Sequence, residues 1–260
     1  LSDGITVPAY TTYAENDYNY ILNDCTPSVI FVSNNEQFNK LKNIIKDKKF
    51  IKKIFSFEKL TNIEIEYINL KDLIQNNKKN IPIHKSLASR KDPSCIIYTS
   101  GTQGNPKGVI LSHGGILNNC EGAIDILKPL LSKEQPRFLT WLPLSHSYEH
   151  TVQFVQITVA ARIFYAESID KLVKNMGDCS PEIMTAVPRF YQNLYQKINA
   201  SFKKATGLKK KLIFKMLELG LKKIKKENLT FFEKIQDSIL EKLVRKKIKS
   251  QFGGSLKTFV

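Results

Sequence analysis

The chain has 260 residues, 42% of them hydrophobic and 10% aromatic, which is enough to bury a sizeable core and too apolar for a disordered protein. Its formal charge is +16, and 17 Lys+Arg against 5 Asp+Glu between Lys197 and Lys249 put a surplus of 12 into that one segment. The longest mostly apolar run, Phe154 to Ala166, falls short of the about 20 residues of a membrane span and contains Arg162.

Taken in chain order, short β-branched or apolar runs predict strands at Ile5–Ala9, Ser28–Val32, Ile63–Ile68, Cys95–Tyr98, Gly108–Leu111, Phe138–Leu142, Arg162–Tyr165 and Ile183–Ala186. Between them, amphipathic stretches predict helices at Glu15–Asp24, Gln37–Lys46, Lys71–Gln75, His113–Leu131, Tyr148–Val159 and Ile169–Met176. This alternation predicts an α/β fold of layered, largely parallel sheets covered by helices. The polar stretch 75–92 reads as a surface connection.

After Pro188 the pattern turns wholly helical. Leu208, Leu212, Met216 and Ile224 form one predicted apolar stripe and Phe232, Ile235, Ile239 and Leu243 another, with lysines over most other positions. Thr230 followed by Glu233 is a capping-box signature. A basic helical insertion at about residues 200–250 is therefore expected on the α/β body. Its field suits an anionic membrane face, nucleic acid or an acidic ligand, and equally a merely solvated helix face.

Cys25, Cys95, Cys120 and Cys179 are scattered without a CxxC spacing, so reduced, mostly buried thiols of a cytoplasmic protein are expected. The opening residues lack the charged-then-apolar pattern of a signal peptide. Residue 1 is leucine, and the last residues, SLKTFV, enter a strand-like run, which suggests an internal fragment.

The chemistry is concentrated in YTSGTQGNPKGVILSH, Tyr98 to His113. A Walker A loop would place glycine and Ser/Thr around the lysine, whereas Lys107 is flanked by Pro106, without an N–H, and by Gly108, without a hydroxyl. Thr99, Ser100, Thr102 and Lys107 between glycines can still cradle phosphate oxygens, because glycine admits close backbone approach, hydroxyls and amides donate, and the lysine adds charge. A flexible surface hairpin is the bland alternative.

The loop resembles the phosphate loop of the adenylate-forming (AMP-binding) superfamily, with Gln103 where most members carry threonine. Three further blocks are similar to that family: Thr6 to Val32, WLPLSHSYEH from Trp141 to His150, and AVPRFYQNLYQKI with the charged insert and FGGSLKTFV, the last resembling its long-chain fatty acyl-CoA synthetase branch. The resemblance implies a partial N-terminal AMP-binding domain over 1–260 without the small C-terminal domain. It also implies a reaction in which a fatty acid carboxylate attacks the α-phosphorus of Mg²⁺-ATP, giving acyl-adenylate and pyrophosphate, after which coenzyme A displaces AMP.

By the same resemblance Thr99, Ser100, Gly101, Thr102, Gly104, Lys107 and Gly108 bind the ATP phosphates, and His146 orients the carboxylate. Trp141 lines an acyl channel or serves as a buried strand residue. The family's later blocks would fall after Val260, so no metal ligand is assigned and this stretch alone is expected to be inactive. Peripheral contact with an anionic inner membrane face through the basic insertion is a further expectation.

His146 to His150 also fits H-x-x-E-H, a zinc-protease pattern with Glu218 or Glu227 nominated as third ligand, but the helix would begin too late to carry both histidines well. His113 and His150 read as structural, and His84 has no assigned role. Two rivals stay open: an enzyme adenylating a short, aryl or amino acid, and a non-catalytic basic module. Nucleic acid is not expected as a partner, because no reading motif or interleaved aromatic platform accompanies the lysines.

Overall fold

The computed structural model describes residues 3–76, 86–99, 105–131 and 135–260. His84 and the loop residues Ser100, Gly101, Thr102 and Gly104 lie outside the described residues. The chain divides into two compact units, Leu1–Asn118 with Leu144–Ser147, and Asn119–Pro143 with Tyr148–Val260.

In the first unit, α1 (Glu15–Cys25) precedes β1 (Val29–Val32), α2 (Asn35–Ile45), β2 (Lys53–Ser56), β3 (Ile68–Asn69) and α3 (Leu70–Asn76). The strands pair in parallel in the order β1-β2-β3. Strand alternation sends Ile30, Val32 and Ile54 inward, where Phe38, Leu41 and Ile45, spaced three and four apart on α2, meet them with Tyr18 and Leu22 of α1. Asn34 caps α2 by accepting from the Gln37 N–H at 3.1 Å.

Two predicted strands differ here. Ile5–Ala9 reduces to a single bridge between Thr6 and Cys95. Of Ile63–Ile68, only Ile68 joins a strand, while Ile63, Ile65 and Tyr67 pack on the core from irregular chain. Alternating apolar residues signal which side chains are buried, and they do so whether or not the backbone finds a ladder. β2 was missed because its KIFS core follows a lysine-rich run.

In the second unit, β6 (Arg137–Thr140), α5 (Ser147–Thr158), β7 (Arg162–Tyr165), α6 (Leu172–Cys179), β8 (Ile183–Met184) and β9 (Thr258–Phe259) build a parallel sheet of order β7-β6-β8-β9 with its crossover helices. β6 and β8 are central, and Phe138, Leu139, Ile183 and Met184 are buried, which explains their continuous apolar sequence. Both units thus bear out the expected parallel α/β architecture.

Between β8 and β9 come α7 (Pro188–Lys203), α8 (Gly207–Ile224), α9 (Phe231–Leu240), a π-helical turn (Glu241–Arg245) and α10 (Lys246–Gln251). The Thr230–Glu233 capping box forms as expected, the Glu233 N–H donating to the Thr230 hydroxyl and the Thr230 N–H to the Glu233 carboxylate. The chain then turns through Gly253, at φ +78°, so close to α6 that a Cβ would sit 2.4 Å from Ser180 Cα and 2.5 Å from the Met176 carbonyl.

The predicted packing stripes of the insertion need correction. Met216, Leu219 and Leu240 form its core with Phe202, Leu212, Leu229, Val244 and Ile248, while Leu208, Ile224, Phe232, Ile235, Ile239 and Leu243 are exposed. Leu240 and Val244 set the inward face of α9 and the turn after it, and Glu233 and Asp237 share that face by helical spacing. α9 turns its acidic side toward α8, where Glu233 meets Lys222 at 2.6 Å and Asp237 pairs with Lys223 and, at 2.7 Å, with Arg245. Its apolar stripe is left outward.

Candidate functional site

The glycine-rich loop is carried by two antiparallel strands of the first unit, β4 (Pro93–Thr99) and β5 (Lys107–Ser112). Their register pairs Tyr98 with Gly108 and Thr99 with Lys107. The loop's two polar anchors are therefore cross-strand partners, both exposed, and the backbone ladder holds them as neighbours.

β4 is packed on both of its faces. Cys95, Ile97 and Tyr98 are buried, and the Tyr98 hydroxyl donates to Asp24 Oδ2 of α1 at 2.5 Å. Burial first, and then the Asp24 carboxylate, push the Tyr98 phenol far above its ordinary pKa, so it stays a donor at any working pH. A Cβ on Gly108 would lie 2.9 Å from Ile96 Cγ2 and 3.2 Å from the Tyr98 ring. A side chain at position 108 would have to push Ile96 or the Tyr98 ring aside, a packing role separate from the phosphate contact that the resemblance implies.

After β5, Ser112 accepts from the Gly115 N–H at 3.1 Å and so caps α4 (His113–Leu127). The His113 N–H donates to the Asp92 carbonyl, and the Gly114 N–H donates to the Arg90 carbonyl at 2.7 Å. His113 thus stands at a structural junction.

His146 is exposed and belongs to the short segment Leu144–Ser147 that clusters with the first unit, as do Thr99 and Lys107. α5 begins at Ser147, so His146 precedes the helix and cannot share a helical face with His150. Among the described residues no group of three or more His, Cys, Asp or Glu gathers to hold a metal. His150 is half-buried with its ring edge-on to Phe154, centroids 5.3 Å apart.

Trp141, in the second unit, is fixed by its indole N–H donating to the Thr185 carbonyl at 2.7 Å and by contact with Phe190 in the sheet core. Trp141 follows the end of β6 and is half-buried, packed against the sheet core.

The same unit holds a polar cluster that the sequence reading passed over except as part of a zinc pattern. Thr140 ends β6, Thr185 follows β8, and Glu149 and Gln156 come from α5; all four are buried, Glu149 completely. Gln156 Nε2 donates to the Thr140 hydroxyl at 3.0 Å. Neither Glu149 oxygen has a hydrogen bond of good geometry, and neither does the Thr185 hydroxyl. Burial raises the pKa of the Glu149 carboxyl, opposed by the Thr185 and Thr140 hydroxyls. The signal in the sequence was two threonines closing otherwise apolar strands and an acid two residues into the helix between them.

Parallel sheets with crossover helices, together with the antiparallel β4–β5 pair, make up an α/β fold shared with the domains of adenylate-forming enzymes. The fold matches the adenylation domain of a carboxylate reductase from Mycobacterium chelonae with a TM-score of 0.71 at 16% identity, over 98% of this chain and 38% of that one. Residues 2–245 match the family described as AMP-binding enzyme, and the chain belongs to that family.

Among its relatives, long chain acyl-CoA synthetase 3 of Arabidopsis thaliana is 29% identical over 96% of this chain and 39% of its own length. The long-chain-fatty-acid–CoA ligase ACSBG2 of Rattus norvegicus is 30% identical over 85% of this chain and 35% of its own. The chain thus spans little more than a third of the length of these relatives.

Proposed function

We propose that the protein containing this chain is an ATP-dependent long-chain fatty acid–CoA ligase, and that this chain supplies its pyrophosphate-binding loop and carboxylate-orienting histidine. The observation that carries the reading is the pairing of Thr99 with Lys107 across the β4–β5 ladder, at the two ends of a loop whose sequence resembles the family's phosphate loop apart from Gln103. Such a reaction needs charge neutralisation on the departing pyrophosphate and in-line placement of the carboxylate more than it needs a protein nucleophile. In this reading the hydroxyls and amides of Thr99, Ser100, Gly101, Thr102 and Gly104 donate to the β- and γ-phosphates, and Lys107 adds the cation.

His146 then orients the acid at the α-phosphate. Mg²⁺ accompanies ATP, with its ligands assigned to none of these residues. Coenzyme A enters in the second half-reaction. The basic insertion makes peripheral contact with an anionic membrane face, since its lysines outnumber its acids and none of the described helices is long and apolar enough to cross a membrane. The similarity to long-chain ligases favours a fatty acid over short, aryl or amino acids.

ATP–pyrophosphate exchange by the full-length protein tests the reading, with palmitate, acetate, benzoate and an amino-acid mixture as separate substrates. Exchange with palmitate, lost in Lys107→Ala, is the expected outcome. Exchange with another acid alone would move the substrate assignment, and none with any acid would overturn the enzyme reading.

A further inference from the structure

The helical insertion leaves apolar side chains in solvent in an ordered way. Phe214, Leu217, Leu221 and Ile224 recur at intervals of three and four along α8, and Phe232, Ile235, Ile239 and Leu243 do so along α9 and the turn after it, all of them exposed. The end of α8 and the start of α9 meet at the turn 225–230, where Ile224, Phe231 and Phe232 are 78%, 74% and 77% exposed. None of these three belongs to the insertion's own core of Met216, Leu219 and Leu240. Isolated exposed leucines are ordinary, but three large apolar side chains, each more than 70% exposed, at the two ends of one short turn mark an interaction surface.

The tip is also well defined and strongly cationic. The capping box fixes the start of α9, and the Lys222–Glu233 and Lys223–Asp237 pairs clamp it to α8. The lysine clamp holds the Glu233 carboxyl down at about 2, so the clamp is closed at every pH near neutrality. Lys225, Lys226 and Lys234 surround the apolar tip and have no acidic partner among the described residues.

We propose that this tip inserts Ile224, Phe231 and Phe232 into the acyl-chain boundary of an anionic bilayer, with Lys225, Lys226 and Lys234 at the lipid headgroups. The inference rests on the membrane contact proposed above and adds apolar insertion to it. A bilayer is the partner that satisfies both halves of the surface: anionic headgroups take the lysines, and the acyl boundary takes the phenylalanines. A second copy of the chain would oppose two surfaces that each carry 14 Lys+Arg against 5 Asp+Glu from Gly207 to Gln251. Nucleic acid would take the charge and leave Ile224 in water.

The test is co-sedimentation of the full-length protein with phosphatidylcholine vesicles, with and without phosphatidylserine, at low and high salt. Binding to the anionic vesicles is expected, with a loss of about tenfold or more in partition for the exposed pair Phe231→Ser and Phe232→Ser at both salts. Lys225→Glu with Lys226→Glu should remove mainly the salt-sensitive part.

A Phe231→Trp substitution, read against the unsubstituted protein, should shift its emission to the blue on vesicles and be quenched by brominated acyl chains. Binding to anionic vesicles with no effect of the phenylalanine pair and no quenching would overturn insertion and leave the electrostatic contact standing. No binding to either lipid would overturn both. Emission already blue and indifferent to vesicles would mean that protein covers the tip, which also overturns insertion.

Discussion

The strand hairpin β4–β5 and the helical hairpin α8–α9 use lysine in opposite ways. The first carries one, Lys107, at a position set by backbone register opposite Thr99, next to Tyr98, which is tied to Asp24 of α1 by a part-buried hydrogen bond. The second carries many, most of them on solvent-facing positions, with a minority engaged in ion pairs. A lysine held by register acts as a point charge on a chosen phosphate, and its loss is local and severe. A lysine in a crowd contributes to a field, and the loss of one is shared among the rest. The comparison separates a site from a surface without reference to charge alone.

The sharpest way to break it is to exchange the two kinds of lysine. Lys107→Ala should lower ATP–pyrophosphate exchange by about 10²–10³-fold, the magnitude of losing one preorganised donor to developing charge. Lys225→Glu with Lys226→Glu should leave exchange within about twofold. Equal losses from both changes would mean that the strand register confers nothing special.

Next in size is the packing beneath the strand hairpin. Gly108→Val should destabilise the protein by about 2–3 kcal/mol in urea unfolding, since its side chain meets Ile96 and the Tyr98 ring at less than contact distance. A comparable insertion at Gly220 of α8, where a Cβ meets nothing within 4 Å, should be close to neutral or mildly stabilising. A tolerant Gly108 would show that the strand hairpin is as plastic as the helical one.

Glu149 extends the contrast to buried charge. Glu149→Ala should cost about 1–3 kcal/mol by leaving Thr140 and Thr185 facing a void, while Glu149→Gln, neutral and of the same shape, should cost less. The pH dependence follows from the raised pKa. The folded state holds the proton more tightly than the unfolded chain, so this group's contribution is complete below the unfolded value of about 4.5 and is lost as pH rises through the folded value. The Gln variant should flatten that decline, and an unchanged slope would assign it to other groups.

The smallest effect is expected at the helical clamp. Glu233 is held down to about 2 by Lys222 first and by the Thr230 N–H second, so its contribution is present above about 4.5 and fades as pH falls toward 2. Glu233→Gln should remove that acid-side slope in a denaturation series while leaving the neutral-pH circular dichroism spectrum nearly unchanged. A pair this exposed to solvent is worth little per contact.

Much of this was written in local sequence. β7 falls where the RIFY run predicts it, the Thr230–Glu233 box forms, and most helix positions follow apolar spacing, because hydrogen bonds within a helix and the in–out alternation of a strand are both decided by near neighbours. The loop motif too is local, and so it was readable before any fold was known.

What the sequence could not decide was partnership across distance. Whether Ile63–Ile68 forms a ladder depends on β2, whether position 108 has room for a side chain depends on Ile96 and Tyr98, and whether the Phe232 stripe faces in or out depends on the core that Leu240 and Val244 enter. Glu149 shows the same limit most plainly. An acid on an amphipathic helix reads as solvent-facing, and only the convergence of β6, β8 and α5 seals it from water, because burial is a property of the packed neighbours and not of the residue.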